Sequence, residues 1–304
     1  MFVLVLNSSN VLNDGTNSTY IYNFPNSVVL TDKYIAVSSV TMYYSWFNID
    51  SKYNNNVLSY IWTVGGFPTT YNITIPNGLY NISDINLYCQ WVMINNGHYL
   101  INDSGSNVYY FELVVNPNRY AIQINTFLVP TSLPTGWTQP ANFAGYPSTA
   151  RNPIITIPAN FNKIIGYTSG FSSNGNIGNA YVPPSPTESN NYVAKDGAGT
   201  LSYLSNTYPD VQPNSSIFLS ISNINNPYSQ PSSIIYSITP TVAIGEQIIE
   251  RPPNFMWNKL INGTYNQLRV QFLGIDKQPI ILRDPNLTIL LTIRDKEEAL
   301  LGTK

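Results

Sequence analysis

His98 is the one histidine among 304 residues, so every chemistry that needs an imidazole passes through a single position. A nucleophilic triad, a phospho-relay or a histidine-rich metal site would have to be assembled around it. It directly follows Asn96-Gly97, a pair that ends helices, and a cation beside a helix C-terminus is a sufficient structural reason for a histidine there. Carboxylates are scattered: Asp295, Glu297 and Glu298 gather in the C-terminal tail, and the rest stand apart. Glu112, on a predicted strand, could meet a second acid in space, but nothing around it marks a pair of the kind that glycoside hydrolysis uses. Gly197-Ala198-Gly199 lacks the preceding strand, following helix and lysine of a phosphate loop, and neither CxxC nor HExxH occurs. The single cysteine, Cys89, falls on the apolar side of a predicted helix and has no partner in the chain. It reads as a buried thiol in a protein that folds in a reducing compartment. The expectation is no enzyme: no catalytic, cofactor-binding or metal-binding residues, and no cofactor.

Binding chemistry is more open. Lys33, Lys52, Lys163, Lys195, Lys259 and Arg251 do not form a basic stripe, and a formal net charge of -2 offers no field for phosphates, so no nucleic-acid specificity is expected. Trp46, Trp62 and Trp137, with abundant Tyr and Asn, could line a sugar site, which leaves a carbohydrate-binding or fibre-like receptor-binding module as an alternative. Charged residues make up only 10% of the chain and aromatic residues 13%, with 23 Tyr. Such a surface, poor in charge and rich in rings that carry one hydroxyl, suits wet protein contacts. Residues 2–6 are apolar but too short and without the basic flank of a signal segment, and no window has the roughly 18 apolar residues of a spanning helix, so no membrane insertion is expected. The Asn-x-Ser/Thr triplets at Asn72, Asn81 and Asn262 are what chance provides in a chain this rich in Asn and Ser.

The elements that must position these residues are nearly all strands. One helix is predicted over 81–96, where Asn81 and Asp84 supply a cap and a negative charge at its start and Asn96-Gly97 the left-handed residue at its end. Ile85, Cys89 and Val92, flanked by Leu87, Trp91 and Ile94, give it a wide apolar arc, with Trp91 and Ile94 as anchors onto a sheet. Strands are predicted at 2–7, 19–24, 57–64, 71–75, 107–115, 120–128, 154–157, 164–168, 216–222, 234–238, 244–249, 267–275 and 287–294. Residues 34–49 form one long strand whose apolar phase shifts partway, as at a bulge or a sandwich corner. Residues 128–215 are loop-rich, and 170–213, with Gly175, Gly178, Pro183, Pro184 and Pro186, carry the least pattern. No fixed-period repeat occurs, which excludes a solenoid or propeller. The fold class read from this pattern is all-β: a single jelly-roll sandwich over 1–294 with one covering helix and a loop-rich insertion near 128–215, followed by a charged tail at 295–304.

Several segments, in order, resemble the penton (minor capsid) protein of mavirus-type virophages and of the related Polinton, or Maverick, elements. They are LNSSNVLNDGTNSTYIYNFP near the start, IAVSSVTMYYSWFNI, ITIPNGLYNISDIN leading into QWVMINNGHYLI, then YYFELVVNP, AIQINTFLVPTSLPTGW and the closing DPNLTILLTI. Order and spacing, rather than any single motif, carry the likeness, and 170–213 has no matching motif. The resemblance implies a single jelly roll that assembles as a homopentamer at the vertices of an icosahedral capsid, in contact with a double jelly-roll major capsid protein. It implies a place in the virion, after synthesis and folding in a reducing host cytoplasm.

Overall fold

The computed structural model describes residues 1–167, 171–173 and 199–295. Most of the low-pattern stretch, with Gly175, Gly178, Pro183, Pro184 and Pro186, the pair Gly197-Ala198, and the charged tail beyond Asp295 lie outside the described residues. In chain order the first elements are β1 (Phe2–Leu6), β2 (Thr19–Leu30) and β3 (Lys33–Tyr43). Then come β4 (Val57–Val64), β5 (Phe67–Thr74), α1 (Ile82–Asn95), β6 (Tyr99–Ile101), β7 (Asn107–Tyr109), β8 (Phe111–Asn116) and β9 (Ala121–Thr126). They are followed by β10 (Ile154–Ile157), α2 (Asn162–Ile165), β11 (Phe171–Ser172) and β12 (Leu201–Leu204). The chain closes with β13 (Ile217–Ile221), β14 (Ile234–Ile238), β15 (Gln247–Glu250), β16 (Asn258–Lys259), β17 (Gly263–Leu273) and β18 (Thr288–Asp295). The fold is all-β, and the chain divides into two compact units: residues 1–47 together with the stretch from Pro213 onward, and residues 48–212.

The first unit is a jelly roll, and its pairing shows why. Of its eight principal strands, the first pairs with the last (β1 with β18) and the second with the second-last (β2 with β17). The third pairs with the third-last (β3 with β15), and the middle two with each other (β13 with β14). Four nested antiparallel pairs make one long ribbon; rolled up, it brings β18 beside β3 and β17 beside β13. The result is two sheets, β1-β18-β3-β15, to which β16 adds at β3, and β14-β13-β17-β2. Alternation decides which face of each strand turns inward. Leu4, Leu6, Val37, Ile289, Leu291 and Ile293 are buried on one sheet, and Tyr20, Leu219, Val270 and Phe272 on the other. The predicted phase shift in the long strand is present as a change of register where β18 passes from Ser39 to Val37 of β3. The strand expected to run to residue 49 ends at Tyr43, and beyond it Trp46 is buried with its indole N–H donating to the Asn214 carbonyl at 3.0 Å.

The second unit is the polypeptide between the third and fourth strands of that roll. Its sheets are β11-β10-β4-β5 and β12-β9-β8, with the two-stranded ribbon β6-β7. Leu58, Tyr60, Trp62, Ile73, Phe111, Leu113, Ile122, Ile124, Ile155 and Ile157 meet in one buried cluster. The α1 helix completes it, so the layer that the helix covers is that of the second unit. Its start is the predicted one: the Asn81 side chain accepts from the Asp84 N–H, and the Asp84 carboxylate accepts from the Asn81 N–H at 3.0 Å. Its buried stripe is Ile82, Ile85, Cys89 and Met93, narrower than the arc expected. Leu87 and Trp91 are 61% and 53% exposed, so Trp91 is no anchor. Spacings of three and four residues admit a single line of contact with the sheet, and positions 87 and 91 lie off that line. Two strand expectations also fail. Residues 162–165 form the short helix α2, ended by Gly166 at φ 80°, because a brief apolar run does not distinguish a period of two from 3.6. Residues 107–115 are broken at Tyr110 into β7 and β8.

Candidate functional site

His98, Cys89 and Glu112 all lie in the second unit. His98 is delivered to its place by the end of α1. Gly97 has φ 68°, and a β-carbon there would come within 1.9 Å of the Asn142 carbonyl oxygen, so the turn is open only to glycine. The His98 N–H closes the helix on the Met93 carbonyl at 2.9 Å, and the imidazole enters the interior with no exposed surface. It stacks on Trp62 at 4.6 Å between centroids and meets Tyr71 edge-to-face at 4.4 Å. The Tyr60 hydroxyl lies 2.7 Å from Nδ1 and accepts from the Asn96 amide at 3.1 Å. Among the described residues the other ring nitrogen, Nε2, is buried with no hydrogen-bond partner.

Burial pushes the His98 pKa down from 6.5 to about 4. The imidazole is therefore neutral at physiological pH, and the reading of His98 as a helix-end cation is overturned. The macrodipole offers a cation roughly 0.3–1 kcal/mol, which desolvation inside an aromatic box exceeds. A general base must reach a substrate proton, and a ring with no accessible surface does not. Cys89, on the adjoining face of α1, is 1% exposed, and burial raises its thiol to about 12, far from a reactive thiolate.

Glu112 is 2% exposed, on β8. It meets amides: its Oε1 accepts from the Asn125 amide at 2.8 Å. Asn125 Oδ1 in turn accepts from Gln123 at 2.8 Å and from the Ser202 hydroxyl at 2.7 Å, and Gln123 accepts from Asn116 at 3.0 Å. Strand β9 is thus buried on both faces, with Ile122 and Ile124 in the apolar cluster and Gln123 and Asn125 in this polar row. Such a network ties three strands into one register and makes the sheet rigid. The signal that could have found it is Gln123 and Asn125 at alternate positions opposite the two isoleucines. Among the described residues no three His, Cys, Asp or Glu side chains come together.

The proposed sugar platform is not assembled. Trp46 and Trp62 are each 2% exposed, and the Trp62 indole donates to the Gly145 carbonyl at 3.3 Å, so neither ring presents a face to a ligand. Trp137 is half-buried against the core of the second unit. A surface pocket lined by Thr63, Val129, Arg151 and Asn152 has its amide engaged, since Asn152 donates to the carbonyls of Thr126 and Gly199. Two of the scattered lysines are paired within the first unit, Lys33 with Asp295 at 2.5 Å and Lys259 with Asp32 at 3.0 Å. No helix among the described residues is long and apolar enough to cross a membrane.

What the surface does offer is apolar and uncharged. Val3, Val5, Ile249 and Met256 of the first unit are about half exposed or more, as are Phe67, Tyr120 and Tyr208 of the second.

No family model and no curated protein matches the sequence. Among solved structures, the crystal structure of selenomethionine-labelled mavirus penton protein is similar over 96% of this chain and 98% of its own, with 10% identity and a TM-score of 0.38. The cryo-EM structure of the Sputnik virophage is similar over 93% of this chain and 99% of the matched chain, with 14% identity and a TM-score of 0.33.

Proposed function

We propose that this chain is a structural subunit of a viral capsid. The observation that carries the reading is the set of four nested antiparallel pairs in the first unit, which makes a complete eight-stranded jelly roll, an architecture that shells use repeatedly. Support comes from the surface, with charged residues at 10% of the chain and exposed Val, Ile, Phe and Tyr side chains, and from the virophage-penton resemblance of the sequence segments. The finer reading is a penton. Five copies close a ring at the vertices of an icosahedral shell and contact a double jelly-roll major capsid protein, with residues 1–294 acting as one subunit and the charged tail following it. A ring of this kind uses head-to-tail contacts, in which one face of each copy meets a different face of the next. The same chain is then a virion component without an enzymatic role.

Mass measurement of the purified protein, alone and mixed with the major capsid protein, tests the reading. The expected result is a five-copy species that joins shells. A chain that stays single at all concentrations and never enters shells overturns it.

A further inference from the structure

Each sheet of a jelly roll ends in strands whose outer backbone groups lack a partner, and proteins blunt such edges against uncontrolled pairing. Three of the four edges of the first unit are blunted. The β2 edge carries Pro25 and a shift of register opposite Tyr265 and Gln267. The β14 edge pairs with β13 through a shift between Leu219 and Ser220. The β15 edge is four residues long and ends in Glu250.

The fourth edge, β1, has none of these devices. It holds no charge and no proline, and its pairing with β18 runs from Phe2 to Leu6 without a shift. Among the described residues the backbone of Phe2–Leu6 pairs with β18 alone. Leu4 and Leu6 are buried, while Val3 and Val5, on the opposite face, are 49% and 48% exposed. The edge therefore offers a row of free N–H and C=O groups beside half-exposed β-branched side chains.

The sequence of β1, Phe-Val-Leu-Val-Leu, also reads nearly the same in both directions about Leu4. In an antiparallel pair centred on Leu4, Val3 of one strand stands opposite Val5 of the other, Leu4 opposite Leu4, and Phe2 opposite Leu6. Every facing pair is then apolar, the β-branched pair is of the kind that favours sheets, and no like charges oppose one another. An extended strand of another protein would need to match this pattern, whereas a second copy of this chain matches it by its own sequence.

We propose that β1 is the contact strand of a two-fold dimer of this chain, pairing antiparallel with the β1 of a second copy in the register centred on Leu4. The two β1-β18-β3-β15 sheets join into one continuous sheet. A two-fold contact uses the same patch on both copies and closes at two, whereas a ring uses two different patches, so this inference stands apart from the penton reading.

The test is native mass across a concentration series, together with hydrogen exchange of the β1 amides. Wild type is expected to show a species of twice 34.0 kDa beside the five-copy ring, with β1 amides that slow as the dimer forms. The variant with Val3→Lys and Val5→Lys sets lysine opposite lysine and is expected to lose the two-copy species. The variant with Val3→Glu and Val5→Glu is expected to lose it likewise. Mixing the two variants is expected to restore dimers containing one of each, because every lysine then faces a glutamate; this rescue also shows that both variants are folded. Wild type that forms no two-copy species, a lysine variant that keeps it, or a mixture that fails to restore it overturns the inference. Five-copy rings formed by the lysine variant leave the penton reading intact; wild type that forms the two-copy species but never a five-copy ring counts against the penton reading alone.

Discussion

The hydroxyl of Tyr60 and Nδ1 of His98 lie 2.7 Å apart in a box with Trp62 and Tyr71, and the imidazole between them is neutral. In the unfolded chain the imidazole binds a proton below about pH 6.5, whereas in the native state it binds one only below about pH 4. Between these values the unfolded state holds more protons, so stability falls as pH falls, by roughly 3 kcal/mol over the window. Denaturant unfolding of wild type and His98→Phe at several pH values measures it. The difference between the two proteins should change across pH 6.5 to 4, and a constant difference contradicts the assignment.

On α1, the contrast between Met93 and Trp91 reverses what hydrophobicity alone ranks. Met93 is enclosed and Trp91 is 53% exposed. Met93→Ala should cost about 2–5 kcal/mol through lost transfer energy and a cavity. Trp91→Ala should cost under about 1 kcal/mol. Unfolding midpoints of the two variants in denaturant check the order, and a larger loss at Trp91 would sink the placement of the helix.

Gly97 joins this helix to His98. Its φ of 68° costs a residue with a side chain about 1–2 kcal/mol, and the Asn142 carbonyl, 1.9 Å from a β-carbon, must also move. Gly97→Ala should therefore destabilise by more than about 2 kcal/mol. A loss below about 0.5 kcal/mol in thermal unfolding would show that the turn is not constrained in this way.

Cys89 should be silent toward thiol reagents in the folded protein, because it is enclosed and its pKa is raised to about 12. A chromogenic disulfide reagent should release colour at the rate of unfolding, with one thiol per chain after denaturant is added. Rapid reaction in native buffer contradicts the burial.

Both ends of α1 were legible in the sequence because capping is local: Asn81 and Asp84 stand three residues apart, and Asn96-Gly97 follows the last turn. The buried stripe was not, since hydrophobic residues at 87, 91 and 94 widen the arc and only the opposing sheet decides which line it accepts. Alternation identified most strands, and the turn at Asn116-Pro117-Asn118 marked the hairpin that β8 and β9 form, but the long-range partners were not legible. The pairing of Phe2 with Ile293, which nests the roll, is as non-local as this chain allows, and so is the separation of residues 48–212 as a second unit. The chemistry of His98 was hidden for the same reason. Its neighbours Tyr60, Trp62 and Tyr71 come from β4 and β5, and without them a histidine after a helix reads as a cation. Glu112 was visible as a lone acid; the amides of Asn125 and Gln123 that surround its part of the sheet became meaningful only once β8 and β9 were paired.

The most direct measurement of the capsid role is electron microscopy of assembled particles in which this chain alone carries a label. Density of the label at the fivefold vertices is the predicted result. Label spread over the faces, or particles that complete their shells without it, contradicts the account.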